Sequence, residues 1–230
     1  MESLFFSYNT AVSKAYIIRV DGYEESEQRA KRCSDSCDLV GMPWEYWDAY
    51  NGISGELTPP AHHGGVMEMI KVTDHSLTRG ELACALSHIS LWQKCVLEDQ
   101  PLVILEHDSV MLQPYTSHAV FNSICFLGIN EQVNQGWGVY PTPPHASEGP
   151  NYHFMCRAHA YAIDPAVAKN MLAHVLKFGI CAPLDIMVRA DVFPIHQMGV
   201  FAYDVKGEDT TILGRPKEGR STQRNDNLDV

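Results

Sequence analysis

Leu102-Val103-Ile104-Leu105 is apolar at every position and then breaks into Glu106-His107-Asp108. A strand with one wet face alternates apolar and polar residues, whereas one that is apolar throughout is covered on both faces. The run therefore reads as a central strand of a sheet flanked by helices. Its surroundings agree. Ala15-Tyr16-Ile17-Ile18-Arg19-Val20 is β-branched and apolar and stops at Asp21-Gly22, a buried first strand ended by a turn. Glu24 to Cys37 is polar and rich in helix formers, so an exposed helix follows. Trp44-Glu45-Tyr46-Trp47 is strand-like and closes at Asn51-Gly52. Strand, helix, strand in that order predicts a βαβ unit and a parallel sheet, hence an α/β fold.

Two further helices can be placed from their caps. Thr78 and Glu81 have capping-box spacing, and Leu82, Ala85, Leu86, Ile89, Leu91 and Trp92 continue as an apolar face to Cys95 or Val96. Ala158 to Ile163 reads as a strand. Asp164-Pro165 opens a helix that runs to Phe178 and stops at Gly179. Residues 53–77 and Gly128–Pro150 read as irregular excursions. With 230 residues, 45% hydrophobic and 20% charged, the expectation is one compact domain over residues 1–213. A basic and polar tail, 214–230, follows with Arg215, Lys217, Arg220 and Arg224.

Composition narrows the function classes. The longest apolar runs, Pro101–Leu105 and Val200–Tyr203, are far too short to cross a bilayer. The first residues carry no basic leader, so a cytoplasmic location is expected, or the host cytoplasm for a viral chain. Seven scattered cysteines without a Cys-x-x-Cys pair point to reduced, mostly buried thiols. A net charge of −11 disfavours general nucleic-acid binding.

The acidic break is the most informative chemistry. In extended backbone Glu106 and Asp108 share a face roughly 7 Å apart. They lie where open α/β sheets bind ligands, and their hard oxygens suit Mg²⁺ or Mn²⁺ on a diphosphate. A Glu-x-Asp after a strand is also what a solvated turn looks like. Ser87-His88 reads either as part of a site or as a hydrogen-bonded core pair. His62 and His63 are adjacent and read as loop residues. Trp44, Trp47 and Trp92 read as core, and Trp137, between two glycines, as a stacking platform for an acceptor.

Taken in order, the blocks resemble glycosyltransferase family twenty-five, the lipopolysaccharide-type galactosyltransferases related to the collagen galactosyltransferases. The first strand of that family ends near Ile-Asn-Leu, here Ile18-Arg19-Val20, and its Ala-x-Asp-Gly turn is here Ala49-Tyr50-Asn51-Gly52. A Gly-Glu-x-x-Cys-x-x-Ser-His block followed by Leu-Trp appears as Gly80 to His88 and Leu91-Trp92. The acidic motif, an apolar strand with Glu-Asp-Asp, appears as Val103 to Asp108. Ala160-Tyr161, Pro183-Leu184-Asp185, Pro194-Ile195-His196-Gln197 and Thr210-Thr211-Ile212 continue the series, so the resemblance covers about residues 15–213.

The resemblance implies a GT-A-type fold, a Rossmann-like mixed, mostly parallel sheet flanked by helices. It implies a metal-dependent, inverting glycosyltransferase that uses a nucleotide-sugar, in the first place a UDP-sugar, with Mn²⁺ or Mg²⁺. Asp108 and Glu106 would hold the metal, with His196 as a further contact. Asp185 would be the catalytic base. Arg19, Asn51, Gly80, Glu81, Ser87, His88, Glu106 and Gln197 would bind the donor, although a capping role already accounts for Glu81. Two departures stand out: the middle acid of the motif is His107, and the first-strand Asn is Arg19, either a donor contact or a surface arginine. His107 motivates an alternative, a catalytically weak relative that only binds sugar nucleotides. A metal-dependent hydrolase using His88, Glu106, His107 and Asp108 is a further alternative. A saccharide is the first expectation for the acceptor and a hydroxymethylated DNA base of the bacteriophage type the second, held by the basic tail. No obligate protein partner is expected.

Overall fold

The computed structural model describes residues 13–53, 57, 59–60, 65–116, 122–128, 139–141, 158–198 and 201–205. The expectations for His62, His63, Trp137, Thr210 to Ile212 and the tail from residue 214 lie outside these residues.

The βαβ unit forms as its sequence predicts. β1 (Ala15–Arg19), α1 (Glu24–Leu39) and β2 (Trp44–Asp48) follow one another, and β1 and β2 pair in parallel. α2 (Arg79–Glu98) then leads into β3 (Leu102–Glu106), which lies parallel on the other side of β1. β1 and β3 are both enclosed by neighbours, which explains why neither alternates in polarity.

The rest of the sheet is built from shorter strands. β4 (Ser109–Met111), β5 (Ile124–Phe126), β6 (Val139–Pro141), β7 (Ala160–Ile163), β8 (Ile195–Met198) and β9 (Ala202–Asp204) complete the strands, with α3 (Pro165–Phe178) and α4 (Leu184–Met187) among them. The main sheet has seven strands in the order β2-β1-β3-β7-β5-β8-β6, and β4 and β9 form a separate pair. β7 runs antiparallel to both β3 and β5, and β6 antiparallel to β8. The remaining five strands share one direction, so the sheet is mixed and mostly parallel, an α/β arrangement of the Rossmann-like, GT-A kind.

Alternate side chains of the central strands feed two cores. Tyr16, Ile18, Leu102, Ile104, Tyr161 and Ile163 face α2 and α3 with Leu82, Ile89, Trp92, Met171 and Val175. Ala15, Ile17, Val103, Leu105, Ala160 and Ala162 face α1 with Ala30, Cys33 and Cys37. Each strand thus buries both faces, the condition that an unbroken apolar run satisfies.

The helix ends match their signals. Thr78 Oγ1 accepts from the Glu81 amide at 3.2 Å, and the Glu81 carboxylate accepts from the Thr78 amide at 2.9 Å. Asp164 Oδ1 accepts from the Val167 amide at 2.8 Å, with Pro165 in the first turn of α3. Gly179 ends α3 at φ +78°, and a Cβ there would meet the Lys71 carbonyl at 2.7 Å. Inside the irregular stretch a 3-10 helix forms at Gly65–Met69, and Val72 bridges to Ile180. The three described tryptophans are structural: Trp47 and Trp92 are buried, and Trp44 donates to Asp38 at 2.7 Å. Six described cysteines are free thiols, of which Cys33, Cys37, Cys95 and Cys125 are buried.

Candidate active site

A cleft opens at the carboxyl ends of the adjacent parallel strands β1 and β3, the position where open α/β sheets take their ligands. Its floor is Ile18 to Val20 and Glu106 to Asp108. One wall is the segment after β2, with Ala49, Tyr50, Gly52 and Ile53, and the other is the first half of α2, with Gly80, Ala83, Cys84, Ser87 and His88. No helix among the described residues is long and apolar enough to cross a membrane.

The acidic break takes a different form from the extended one. β3 ends at Glu106, His107 and Asp108 form a turn, and β4 begins at Ser109. The Glu106 amide donates to the His159 carbonyl at 2.8 Å, which fixes the strand end, and Asp108 is tied through its carbonyl to the Val205 amide at 3.3 Å. Strand alternation therefore does not set the relation of Glu106 to Asp108, yet both line the cleft. His107 is no loose substitute for an acid. Its Nδ1 lies 2.7 Å from Ser26 Oγ, and Ser26 Oγ also accepts from the Val20 amide at 2.9 Å. The hydroxyl and the imidazole nitrogen share one proton between them, the direction being set by the tautomer of His107. His107 thus pins the acidic turn to the start of α1.

Above Glu106 stands a buried polar chain. His88, 1% exposed, places Nε2 3.3 Å from Glu106 Oε1 and Nδ1 2.8 Å from the Tyr161 hydroxyl. The Trp92 indole N–H donates to the same hydroxyl at 3.0 Å. Burial holds the Tyr161 phenol far above its ordinary pKa, so it keeps its proton. It accepts from Trp92 and has one proton to give, and His88 Nδ1 is the acceptor at hand. The imidazole then carries its proton on Nε2, toward Glu106. Burial pushes the Glu106 carboxyl up, but the contact with His88 and the imidazoles of His88, His159 and His107 outweigh it and hold the carboxyl below its ordinary value. Cys84, one turn before His88 on α2, sets Sγ 3.8 Å from Glu106 Oε1. Burial, then Glu106, Asp185 and Asp108, raise its thiol well above the usual range.

The loop wall is held to α2 by Ser87. Ser87 Oγ accepts the Tyr50 amide at 3.0 Å and donates to the Ala83 carbonyl at 2.7 Å. Gly52 rests on the start of α2, where a Cβ would come within 2.9 Å of Gly80 Cα and of Ala83 Cβ. Gly52 and Gly80 thus permit this backbone approach together. Asn51 Oδ1 accepts the Ile53 amide at 2.9 Å and shapes the turn. Ser87→Ala leaves the buried Tyr50 amide without its acceptor, an expected cost of about 1–3 kcal/mol. Thermal unfolding reads that loss, and faster hydrogen exchange at the Tyr50 amide locates it.

Arg19 lines the cleft, but its guanidinium meets Asp48 and Asp21, each at 3.2 Å, and stacks on the Tyr46 ring at 4.4 Å. Glu81 closes the capping box. Asp185 lies in the first turn of α4, close enough to Cys84 to act on its thiol. His196 is brought elsewhere. It lies on β8 in register with Cys125, Ala162 and Val103, three strands from β3, which is roughly 14 Å across the sheet. Its Nδ1 contacts Ser123 Oγ at 2.5 Å. The expected His196 contact with the Glu106–Asp108 metal is therefore corrected: the strand order keeps the two apart. Gln197 is its neighbour on β8.

Sequence reasoning gave no role to Cys84, Ser26, His159 or the Tyr161 hydroxyl. The Cys84–His88 spacing of four residues, which puts both on one helix face, was the available signal. The thiol, the imidazole and the Glu106 carboxylate have ligand atoms within 4.8 Å of one another, an arrangement that can hold a metal ion.

Residues 13–126, from β1 through β5, match the family described as "Glycosyltransferase family 25 (LPS biosynthesis protein)". Over that span, just under half of the chain, the sequence is similar to glycosyltransferase family 25. The matched span contains the whole cleft, both of its walls and the acidic turn. The chain is also similar to the "Lipooligosaccharide biosynthesis protein lic2B" of Haemophilus influenzae, 36% identical over 86 residues. That match spans 37% of this chain and 30% of the Haemophilus protein.

Proposed function

We propose that the chain transfers a sugar from a nucleotide-sugar, a UDP-sugar first, to a saccharide acceptor. The observation that carries this is that Glu106, at the carboxyl end of β3, and Asp108, in the turn after it, line one cleft inside the span that matches the family. The acceptor class follows from the lipooligosaccharide biosynthesis of the Haemophilus relative.

The residues present fit a divalent cation. Two carboxylates line one cleft, and hard oxygen ligands suit Mn²⁺ or Mg²⁺ beside a diphosphate. Glu106 and Asp108 would hold the cation, which would supply positive charge to a departing diphosphate. The chain's own residues do the rest. The Tyr50–Ile53 wall, fixed by Ser87 and the Gly52–Gly80 contact, forms a shaped pocket for the donor. His88 orients Glu106. Asp185, in the first turn of α4, takes the proton of the acceptor hydroxyl, the step that an inverting transfer requires of a base.

Offering the purified chain UDP-, GDP- and CMP-sugars with Mn²⁺, and following release of nucleotide, tests the reading. One donor turned over by the wild type and not by Asp108→Ala is the expected result. Neither turnover nor binding of any donor would overturn it. Donor binding without turnover in the presence of acceptor saccharides would leave only a binding protein.

A further inference from the structure

We propose that Cys84, His88 and Glu106 form a binding site for a borderline-soft divalent cation of the zinc class, with its fourth position open to the cleft. Three observations carry this. First, the ligand atoms stand close to tetrahedral spacing. Zinc at its usual bond lengths sets imidazole nitrogen and carboxylate oxygen about 3.4 Å apart, and sulfur and oxygen about 3.6 Å apart. Here His88 Nε2 to Glu106 Oε1 is 3.3 Å, and Cys84 Sγ to the same oxygen is 3.8 Å. Second, His88 Nε2 is buried and aimed at this point without a hydrogen-bond partner, its approach to Glu106 being out of line. A buried polar atom left so is costly unless something meets it. Third, the frame is rigid. Cys84 and His88 are one turn apart on a well-packed helix, and Glu106 closes a central strand.

The outer contacts suit a metal as well. A ligating imidazole donates through its other nitrogen. When Nε2 gives its lone pair to a cation, the proton moves to Nδ1 and donates to Tyr161 Oη. That oxygen has a second lone pair beside the one that meets Trp92. Thiolate and imidazole select zinc over Mg²⁺ or Mn²⁺, which prefer oxygen alone. Three protein ligands leave a tetrahedral position vacant, and Cys84 and Glu106 both face the cleft. The ligand for that position is water or an anionic oxygen.

The test reads metal binding and not turnover, so it stands or falls apart from the sugar-transfer reading. Full-length, chelator-treated protein is titrated with cobalt(II), a spectroscopic stand-in for zinc. The expected result is a thiolate-to-cobalt charge-transfer band with tetrahedral visible bands, at one equivalent, displaced by zinc. Cys84→Ser abolishes the charge-transfer band, and Cys181→Ser, at an exposed thiol, keeps it. Glu106→Gln, which retains the thiol, weakens zinc binding by more than the ~10–100-fold lost when an outer-shell partner is removed. Absence of the bands in folded wild-type protein overturns the proposal. So does a band that survives in Cys84→Ser, or, should that variant fail to fold, unchanged zinc affinity in Glu106→Gln.

Discussion

Glu106→Gln is expected to lower the rate of sugar transfer by roughly 10²–10³-fold while the protein stays folded. The two side chains have the same shape, so the change removes charge and little else. The fold does not depend on that charge. β3 is held by its register with β1 and β7 and by the Glu106 amide on the His159 carbonyl. The carboxylate itself sits at the cleft, 31% exposed, where three imidazoles keep it ionised. On the proposed reading, a neutral amide lacks the negative charge with which Glu106 would hold a cation. The loss therefore falls on kcat, and circular dichroism and thermal unfolding stay close to wild type. Near-wild-type turnover by folded Glu106→Gln protein would remove this carboxylate from the chemistry.

Much of the frame could be read from local pattern. β1, β2, β3, β7 and three helices were legible because each is long, apolar on a definite face, or capped by residues with one physical use. The Thr78–Glu81 box and the Asp164-Pro165 start are examples. β5, β6, β8 and β9 were not legible, since a run of three or four residues carries no period. The direction of β7 was not legible either, because Ala160-Tyr161-Ala162-Ile163 packs equally well along or against β3. The site divided in the same way. Glu106, Asp108 and His88 could be singled out because their residue types and spacing carry chemistry. The association of His107 with Ser26 could not, since it joins positions brought together only by folding of the βαβ unit. His196 failed as a partner for Asp108 for the converse reason. Its distance from the cleft is set by strand order, which nothing local to Pro194–Gln197 encodes.

Tyr161→Phe is expected to cost both stability and activity, although no atom of Tyr161 contributes to the cleft lining. The change keeps the ring, the buried volume and the stacking on His88, whose ring lies 5.6 Å away at 9°. It deletes one oxygen. That oxygen is the partner of both the Trp92 indole N–H and His88 Nδ1, and all three side chains are fully or almost fully buried. Each orphaned polar group costs about 1–3 kcal/mol, so a total of roughly 2–6 kcal/mol follows for the two. For a chain of this size that lowers Tm by roughly 4–24 °C. The imidazole also loses the contact that fixes its proton on Nε2 and its ring toward Glu106. Transfer should fall by roughly 10–100-fold, the range found when a partner that orients a site residue is removed. The double variant separates positioning from packing. If Tyr161 acts through His88 on the Glu106 carboxylate, adding Tyr161→Phe to Glu106→Gln lowers activity no further, because the group being oriented is already gone. The loss of Tm, which comes from Trp92 and His88 in the core, persists in the double variant. Activity losses that multiply, or a Tyr161→Phe protein with unchanged Tm and turnover, would sink the idea that this buried hydroxyl orients the Glu106 carboxylate through His88.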